Sequence, residues 1–241
     1  MAAGVGMAHA VLLAAMRSAW PYARKRRYTL FTARAQPYVW SQSVNMSPVQ
    51  TDLFAAPPPV RPGLSLASAI VTPDEERSMI AAIEGVALSP FRFHGWVGKR
   101  LTASFGWKYD FENASFGPTE PIPGFLHFLR ERAAEFAGVA ESELVQAILT
   151  RYDPGSGIGW HRDREVFDQV IGVSLGAPAT MRFRRRLGTV YKRASAMLEP
   201  RSVYHLKGEA RQVWEHSIAP MERTRWSVTF RTLSRPPRKV S

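Results

Sequence analysis

The stretch Arg151-Tyr-Asp-Pro-Gly-Ser-Gly-Ile-Gly-Trp-His-Arg-Asp163 decides how this chain is read. A proline and three glycines mark a turn. The turn delivers His161 and Asp163 two residues apart. In extended chain alternate residues share a face, so the imidazole and the carboxylate point the same way. They are two parts of a metal site that still needs a third ligand.

The rest of the chain bounds where that ligand comes from. There are 241 residues, 45% of them hydrophobic and 22% charged, which suits one large domain with flexible ends. Cysteine is absent. Thiolate zinc fingers, iron–sulfur clusters, thiol nucleophiles and disulfide scaffolds are therefore excluded, and a metal must use histidine and carboxylate. The six histidines are His9, His94, His127, His161, His205 and His216. His216 is the best third ligand. It opens a strand-like stretch far along the chain, as a ligand closing a site between two sheets should. His205 is its rival, and a lone helix histidine such as His127 is more often structural. Two histidines and one carboxylate leave three metal positions open, the arrangement of non-haem Fe(II) oxygenases.

The formal charge is +12, which points to a polyanionic partner, nucleic acid first and an anionic membrane surface second. Half of the excess sits in residues 1–51, which hold six basic residues and no acid. That segment reads as a disordered basic extension or as the product of a start codon placed too early, with Met46 the alternative start. An organelle transit peptide is the competing reading. Its apolar run is too short to span a bilayer. Nucleic acid is the expected partner rather than a membrane. The protein is expected to be a monomer, cytoplasmic if its source is bacterial.

Residues 52–63 form a proline-rich connector. Leu64–Val71 is a strand candidate. Thr72 caps a helix that has Pro73 at its first position, acids in its first turn and an end near Gly85. Residues 91–116 mix aromatics with cations and read as a hairpin or lid. Pro121–Ala137 has helical apolar spacing with Gly138 at C′. After Val145 the pattern becomes strands: 145–152, 158–163, 170–175, 180–185, 196–198, 202–206, 216–218 and 225–233. Short strands at tight spacing indicate a closed or double-sheet β architecture such as a jelly roll. Residues 234–241 read as a disordered tail.

The last strand alternates strictly. Arg225, Ser227, Thr229 and Arg231 face one way, and Trp226, Val228 and Phe230 face the other. The apolar face is core. The polar face looks either to solvent or into a small barrel, where two arginines would hold a dicarboxylate.

The Arg151–Asp163 run, His216 and the Arg225-x-Ser-x-Thr-x-Arg231 strand together resemble the AlkB family of Fe(II)- and 2-oxoglutarate-dependent dioxygenases. The resemblance covers about residues 64 to 233. It implies a mainly β fold with flanking helices (α+β), a double-stranded β-helix core buttressed by N-terminal helices. It implies Fe(II) held by His161, Asp163 and His216, with O2 and 2-oxoglutarate as cosubstrates and no catalytic residue beyond the metal centre. Arg225 would pair with the distal carboxylate of 2-oxoglutarate, and Tyr152 would donate to it. Arg231 would sit nearer the other carboxylate, with Ser227 and Thr229 completing the wall. Two positions depart from the family, which often has Asn where this chain has Thr150 and Ser227; both keep a hydroxyl.

The implied reaction is oxidative demethylation of N-alkylated bases in DNA or RNA, as in alkylation repair. The same chemistry on a protein side chain or small molecule is the alternative. A catalytically silent nucleic-acid-binding jelly roll is the remote one. Phe105-Gly-Trp-Lys-Tyr109 is similar to the family's nucleotide-recognition lid, so Trp107 and Tyr109 are candidates to stack on a base. Glu165 would lie at the pocket mouth. Arg182, Arg184, Arg185 and Arg186 would grip phosphates or form a solvated basic edge that blocks strand pairing.

Overall fold

The computed structural model describes residues 62–93, 95–110 and 113–234. The chain divides into Met1–Leu53 and Phe54–Ser241, and every described residue lies in the second unit. The basic extension, most of the connector, the tail beyond Ser234, and His9, His94 and Phe111 lie outside the described residues.

In chain order the elements are β1 (Leu64–Ala67), α1 (Pro73–Glu84), β2 (Ser89–Phe93), β3 (Trp96–Asp110), β4 (Ser115–Pro118), α2 (His127–Ala137), β5 (Gln146–Tyr152), β6 (Ile158–His161), β7 (Phe167–Gly176), β8 (Ala179–Leu187), β9 (Val190–Leu198), β10 (Val203–Leu206), α3 (Gly208–Gln212), β11 (Glu215–Ile218) and β12 (Arg225–Leu233). The larger sheet runs β1-β10-β7-β12-β5-β3-β2, with β4 on β3, and the smaller runs β6-β11-β8-β9. Successive strands from β5 to β8 and from β10 to β12 alternate between the sheets, which winds the chain into the expected double-stranded β-helix.

Local chemistry explains the two longer helices. Thr72 accepts from the Glu75 amide and Glu75 accepts from the Thr72 amide, a complete capping box. Arg132 on α2 grips both Glu75 oxygens at 2.8 Å and so joins the helices. The second helix starts later than its apolar spacing predicts. Pro121 and Pro123 keep the preceding residues out of helical geometry, and a single 3-10 turn at Gly124–Leu126 precedes α2. Gly138 closes it at φ +67°.

The alternation of β12 sorts two cores. Val228 and Phe230 pack with Leu149 and Val173 beneath Met79, Ile83, Leu129 and Ala133 of the helices. The opposite face looks between the sheets, where Met181, Phe183 and Ile218 of the smaller sheet meet Tyr152, Tyr204 and Leu206 of the larger. Arg225, Ser227 and Thr229 are buried there, so the polar face is interior.

Candidate metal and cosubstrate site

Register brings the ligands together. Strands β6 and β11 pair antiparallel with His161 directly opposite His216, and their rings lie 4.2 Å apart. The glycine turn fixes that register. The Gly155 amide donates to the Met221 carbonyl and the Met221 amide to the Ser156 carbonyl, each at 2.8 Å. A Cβ at Gly157 would lie 2.8 Å from the Ile218 carbonyl, so only glycine allows the approach. Strand β6 ends at His161, and Asp163 follows in irregular chain, buried. His161, Asp163 and His216 each offer one ligand atom, all within 4.8 Å of one another. They are positioned to bind a metal ion.

The donor chemistry fits a cation. His161 Nδ1 lies 2.9 Å from the Gly159 carbonyl. A carbonyl only accepts, so Nδ1 carries the proton and Nε2 keeps a free lone pair. His216 Nε2 and Asp163 Oδ2 face each other at 3.6 Å, and Oδ2 is buried with no hydrogen-bond partner among the described residues. Burial pushes His161 down and His216 down to about 3, so both are neutral ligands. Burial alone would raise the Asp163 carboxyl. Arg231, the two imidazoles and Arg211 outweigh it and hold the group well below the usual carboxylate range. Arg231 donates directly to Asp163 Oδ1.

Facing the trio from the larger sheet is a buried arginine. Arg225 is 1% exposed. Its Nε donates to Ser174 Oγ at 3.1 Å, and its guanidinium lies 5.1 Å from the centre of the Tyr152 ring. Its Nη1 and Nη2 have no hydrogen-bond partner among the described residues. A buried cation without counter-charge is costly, and this fork matches a carboxylate. Thr150 and Ser174 flank Ser227 in register, and Ile148 and Gly172 flank Thr229. Thr229 hydrogen-bonds Tyr204, whose phenol burial pushes up to about 12.

Sequence reasoning missed several of these residues. Tyr204 reaches the site because Gly172 opposite it lacks a side chain; a Cβ there would lie 2.2 Å from the tyrosine ring. The alternation of Tyr204 with His205 was the available signal. His205, the rival ligand, faces the other way, pairs with Gln169 at 2.7 Å and stays outside the site. His127 is an exposed first residue of α2. Arg100 also comes close enough to the site to feel Tyr152 and Arg231 and to act on His161. It precedes Leu101, whose partner is Arg151, and it stacks on Phe91 at 3.8 Å.

The substrate candidates divide. Trp107 stacks on Phe116 at 5.1 Å, so that ring partner occupies one face. Tyr109 lies against the Arg164 guanidinium at 4.5 Å, next to Asp163 in sequence. Glu165 is exposed in the loop after Asp163. The arginine cluster is not a sheet edge: β8 lies between β11 and β9, paired to both. Arg184 bonds Glu215 at 2.5 Å, Arg185 bonds Glu209 at 2.7 Å, and Arg182 bonds Ser217 at 3.1 Å.

Known proteins agree with this geometry. The family model of the 2OG-Fe(II) oxygenase superfamily matches residues 93–234. The tRNA (carboxymethyluridine(34)-5-O)-methyltransferase alkbh8 of Xenopus tropicalis is 30% identical over 168 residues, 68% of this chain but only 26% of that protein. The alpha-ketoglutarate-dependent dioxygenase AlkB of Escherichia coli K12 is 27% identical over 211 residues, 75% of this chain and 96% of AlkB. The solved structure of OsALKBH1 superposes with a TM-score of 0.54 at 17% identity, over 72% of this chain and 98% of that one, a likeness of fold. With the ligand trio already in place, these matches make the chain an AlkB-like member of the 2OG-Fe(II) oxygenase superfamily, an oxidoreductase that uses Fe(II), 2-oxoglutarate and O2.

Proposed function

We propose that this oxygenase removes N-alkyl groups from DNA or RNA bases by oxidation. The observation that carries the cosubstrate reading is Arg225, a buried guanidinium whose terminal nitrogens have no partner among the described residues. The distal carboxylate of 2-oxoglutarate supplies that partner, with the Tyr152 hydroxyl as a second donor. Thr150, Ser227 and Thr229 line the wall beside it. His161 Nε2, Asp163 and His216 hold Fe(II). When bound, the metal and 2-oxoglutarate supply the activation of O2 and the oxidising power.

The chain supplies placement. Arg231 holds the Asp163 carboxylate ionised and oriented. Phe183, its ring 6.4 Å from that of His216, walls off one side with hydrocarbon. An N-alkyl carbon hydroxylated in this pocket leaves as an aldehyde and restores the base. A duplex base must first be flipped out of its stack.

Three features support a nucleic-acid substrate. The similar proteins include one named for tRNA modification. The β8–β9 hairpin carries six basic residues and no acid; Glu215 and Glu209 from neighbouring elements pair with two of the six, and the remaining excess favours a polyanion. The β3–β4 hairpin sets Tyr109 against Arg164, the residue that follows Asp163 in the chain. Among the described residues no helix is long and apolar enough to cross a membrane.

The test is anaerobic binding of Fe(II) and 2-oxoglutarate, then turnover on methylated single- and double-stranded DNA and RNA. Wild type releases succinate and restores the base; His161→Ala and Asp163→Ala do neither. A wild type that binds neither iron nor 2-oxoglutarate overturns the reading. Succinate release with no base restored moves the substrate to a protein side chain or a small molecule.

A further inference from the structure

Strand β3 changes partners at Gly106. Up to that residue it pairs with β5, and from Trp107 it pairs with β4. Gly106 has φ +78°, and a Cβ there would lie 2.1 Å from the Val145 carbonyl, so glycine alone permits the departure. Beyond it, Trp107–Asp110 and Ser115–Pro118 form a two-stranded strap that leaves the main sheet.

One side chain spans the departure point. Gln146 shares a rung with Gly106 on one side and Arg231 on the other, and it is 2% exposed. Its amide nitrogen donates to the Trp107 carbonyl and, at 3.3 Å, to Ser104 Oγ. Its amide oxygen accepts from Arg231 Nη1 at 2.8 Å, while Arg231 Nη2 donates to Asp163 Oδ1. A second row of contacts joins the same ends. Trp107 stacks on Phe116, Phe116 meets Phe167 edge-on at 5.6 Å, and Arg231 lies 5.3 Å over Phe167.

We propose that Gln146 is a positioning residue coupling the β3–β4 strap to the Asp163 carboxylate through Arg231. The proposal rests on reading His161, Asp163 and His216 as the iron site. Gln146 itself bonds none of the three ligands. It acts because Arg231 divides its two terminal nitrogens between the Gln146 oxygen and Asp163. When the strap shifts, the Trp107 carbonyl shifts, and the amide either follows or loses its acceptor. Either outcome changes how Arg231 presents itself to Asp163. Linkage makes the effect reciprocal: metal held at Asp163 steadies the strap, and a strap closed over substrate steadies Asp163. The iron site is then best ordered with substrate in place, which limits consumption of 2-oxoglutarate without a substrate to oxidise.

The test uses Mn(II), a redox-quiet probe for the iron position, with 2-oxoglutarate. Hydrogen exchange of the strap amides of Trp107–Asp110 and Ser115–Gly117 and Mn(II) affinity are measured in wild type, Gln146→Met and Gln146→Glu. In wild type, Mn(II) with 2-oxoglutarate slows strap exchange. Gln146→Met removes both ends of the link, so Mn(II) affinity falls about tenfold, the low end for outer-shell partners, and the slowing is lost. Gln146→Glu keeps an oxygen for Arg231 but has no N–H for Trp107, so affinity stays close to wild type while the slowing is lost. A merely structural role lowers the melting temperature of both variants yet leaves affinity and slowing intact, and that result overturns the proposal. Equal loss of affinity in both variants overturns the route through Arg231. A wild type that binds Mn(II) without slowing the strap overturns the coupling. A wild type that binds no Mn(II) overturns the iron reading and the proposal with it.

Discussion

Two groups of arginines lie on opposite sides of the barrel wall. On the outer face of the smaller sheet, Arg184 bonds Glu215 and stacks between Trp160 at 4.6 Å and Tyr191 at 4.9 Å. Arg185, on the face of Phe183 rather than that of Arg184, bonds Glu209. These side chains are part-exposed and complete within the chain. Inside, Arg225 is buried with two terminal nitrogens unpartnered among the described residues, and Asp163 is engaged by Arg231. In the sequence all are equal units of a +12 charge. In the fold the outer ones neutralise themselves, and the inner one leaves a carboxylate-shaped deficit. A basic protein therefore does not advertise its site by where its arginines are densest, but by where one is buried without an acid.

The sharpest way to break this contrast is Arg225→Met. A flexible apolar side chain of similar length removes the buried charge and the fork together. Cosubstrate affinity should fall by about 3 kcal/mol, more than a hundredfold in Kd, the scale for truncating one side of a buried charge pair. Stability of the metal-free protein should move the other way, because the variant no longer buries an uncompensated cation. Calorimetric titration with 2-oxoglutarate and a melting curve without it check both signs. A variant that melts lower and binds 2-oxoglutarate as wild type does would mean that Arg225 is a structural cation.

Acid separates the two regions next, since the interior holds imidazoles that titrate in range and the outer arginines do not. His216 is depressed from 6.5 to about 3 and His205 from 6.5 to about 4, in both cases first by burial, and His161 is depressed too. The folded values lie below the unfolded one, so the unfolded chain binds more protons between them. Stability is thus full above 6.5 and falls as pH drops toward 4. Between about pH 7 and about pH 5 the loss from one such imidazole is on the order of 2 kcal/mol. Urea midpoints of metal-free protein across that range test it, and a flat profile would contradict buried neutral imidazoles.

How much of this was legible in the sequence follows from the range of each signal. His161 and Asp163 are two residues apart, and the faces of β12 follow from period two, so both could be read locally. The capping box of α1 is equally local. Tyr204, Gln146 and Arg100 join the site only through registers between strands distant in sequence. No periodicity encodes those registers. The five-residue α3 went unseen because one turn carries too little pattern, although its Arg211 donates to the Arg164 carbonyl in the loop after Asp163 and to the Phe167 carbonyl at the start of β7. Of the two readings of the arginine cluster, the solvated edge is the one the registers exclude, and nothing local says that β9 covers β8.

The smallest expected effect is Arg184→Met, the outer counterpart of Arg225→Met. Its salt bridge to Glu215 is about a quarter to a third exposed, so solvent already screens much of the attraction. Stability should change by less than about 1 kcal/mol, the range of exposed ion pairs. Methionine keeps an unbranched stem against Trp160 and Tyr191, which preserves part of the stacking contact. Affinity for 2-oxoglutarate should not move, because the side chain lies on the far side of the sheet from His216: Arg184 pairs in register with Glu215, whereas His216 pairs with Phe183. A loss of cosubstrate affinity like that of Arg225→Met would erase the distinction between self-satisfied and ligand-seeking arginines. If methylated oligonucleotide binding weakens alone, the outer ladder holds phosphate, and the contrast sharpens into one arginine for the cosubstrate and another for the substrate strand.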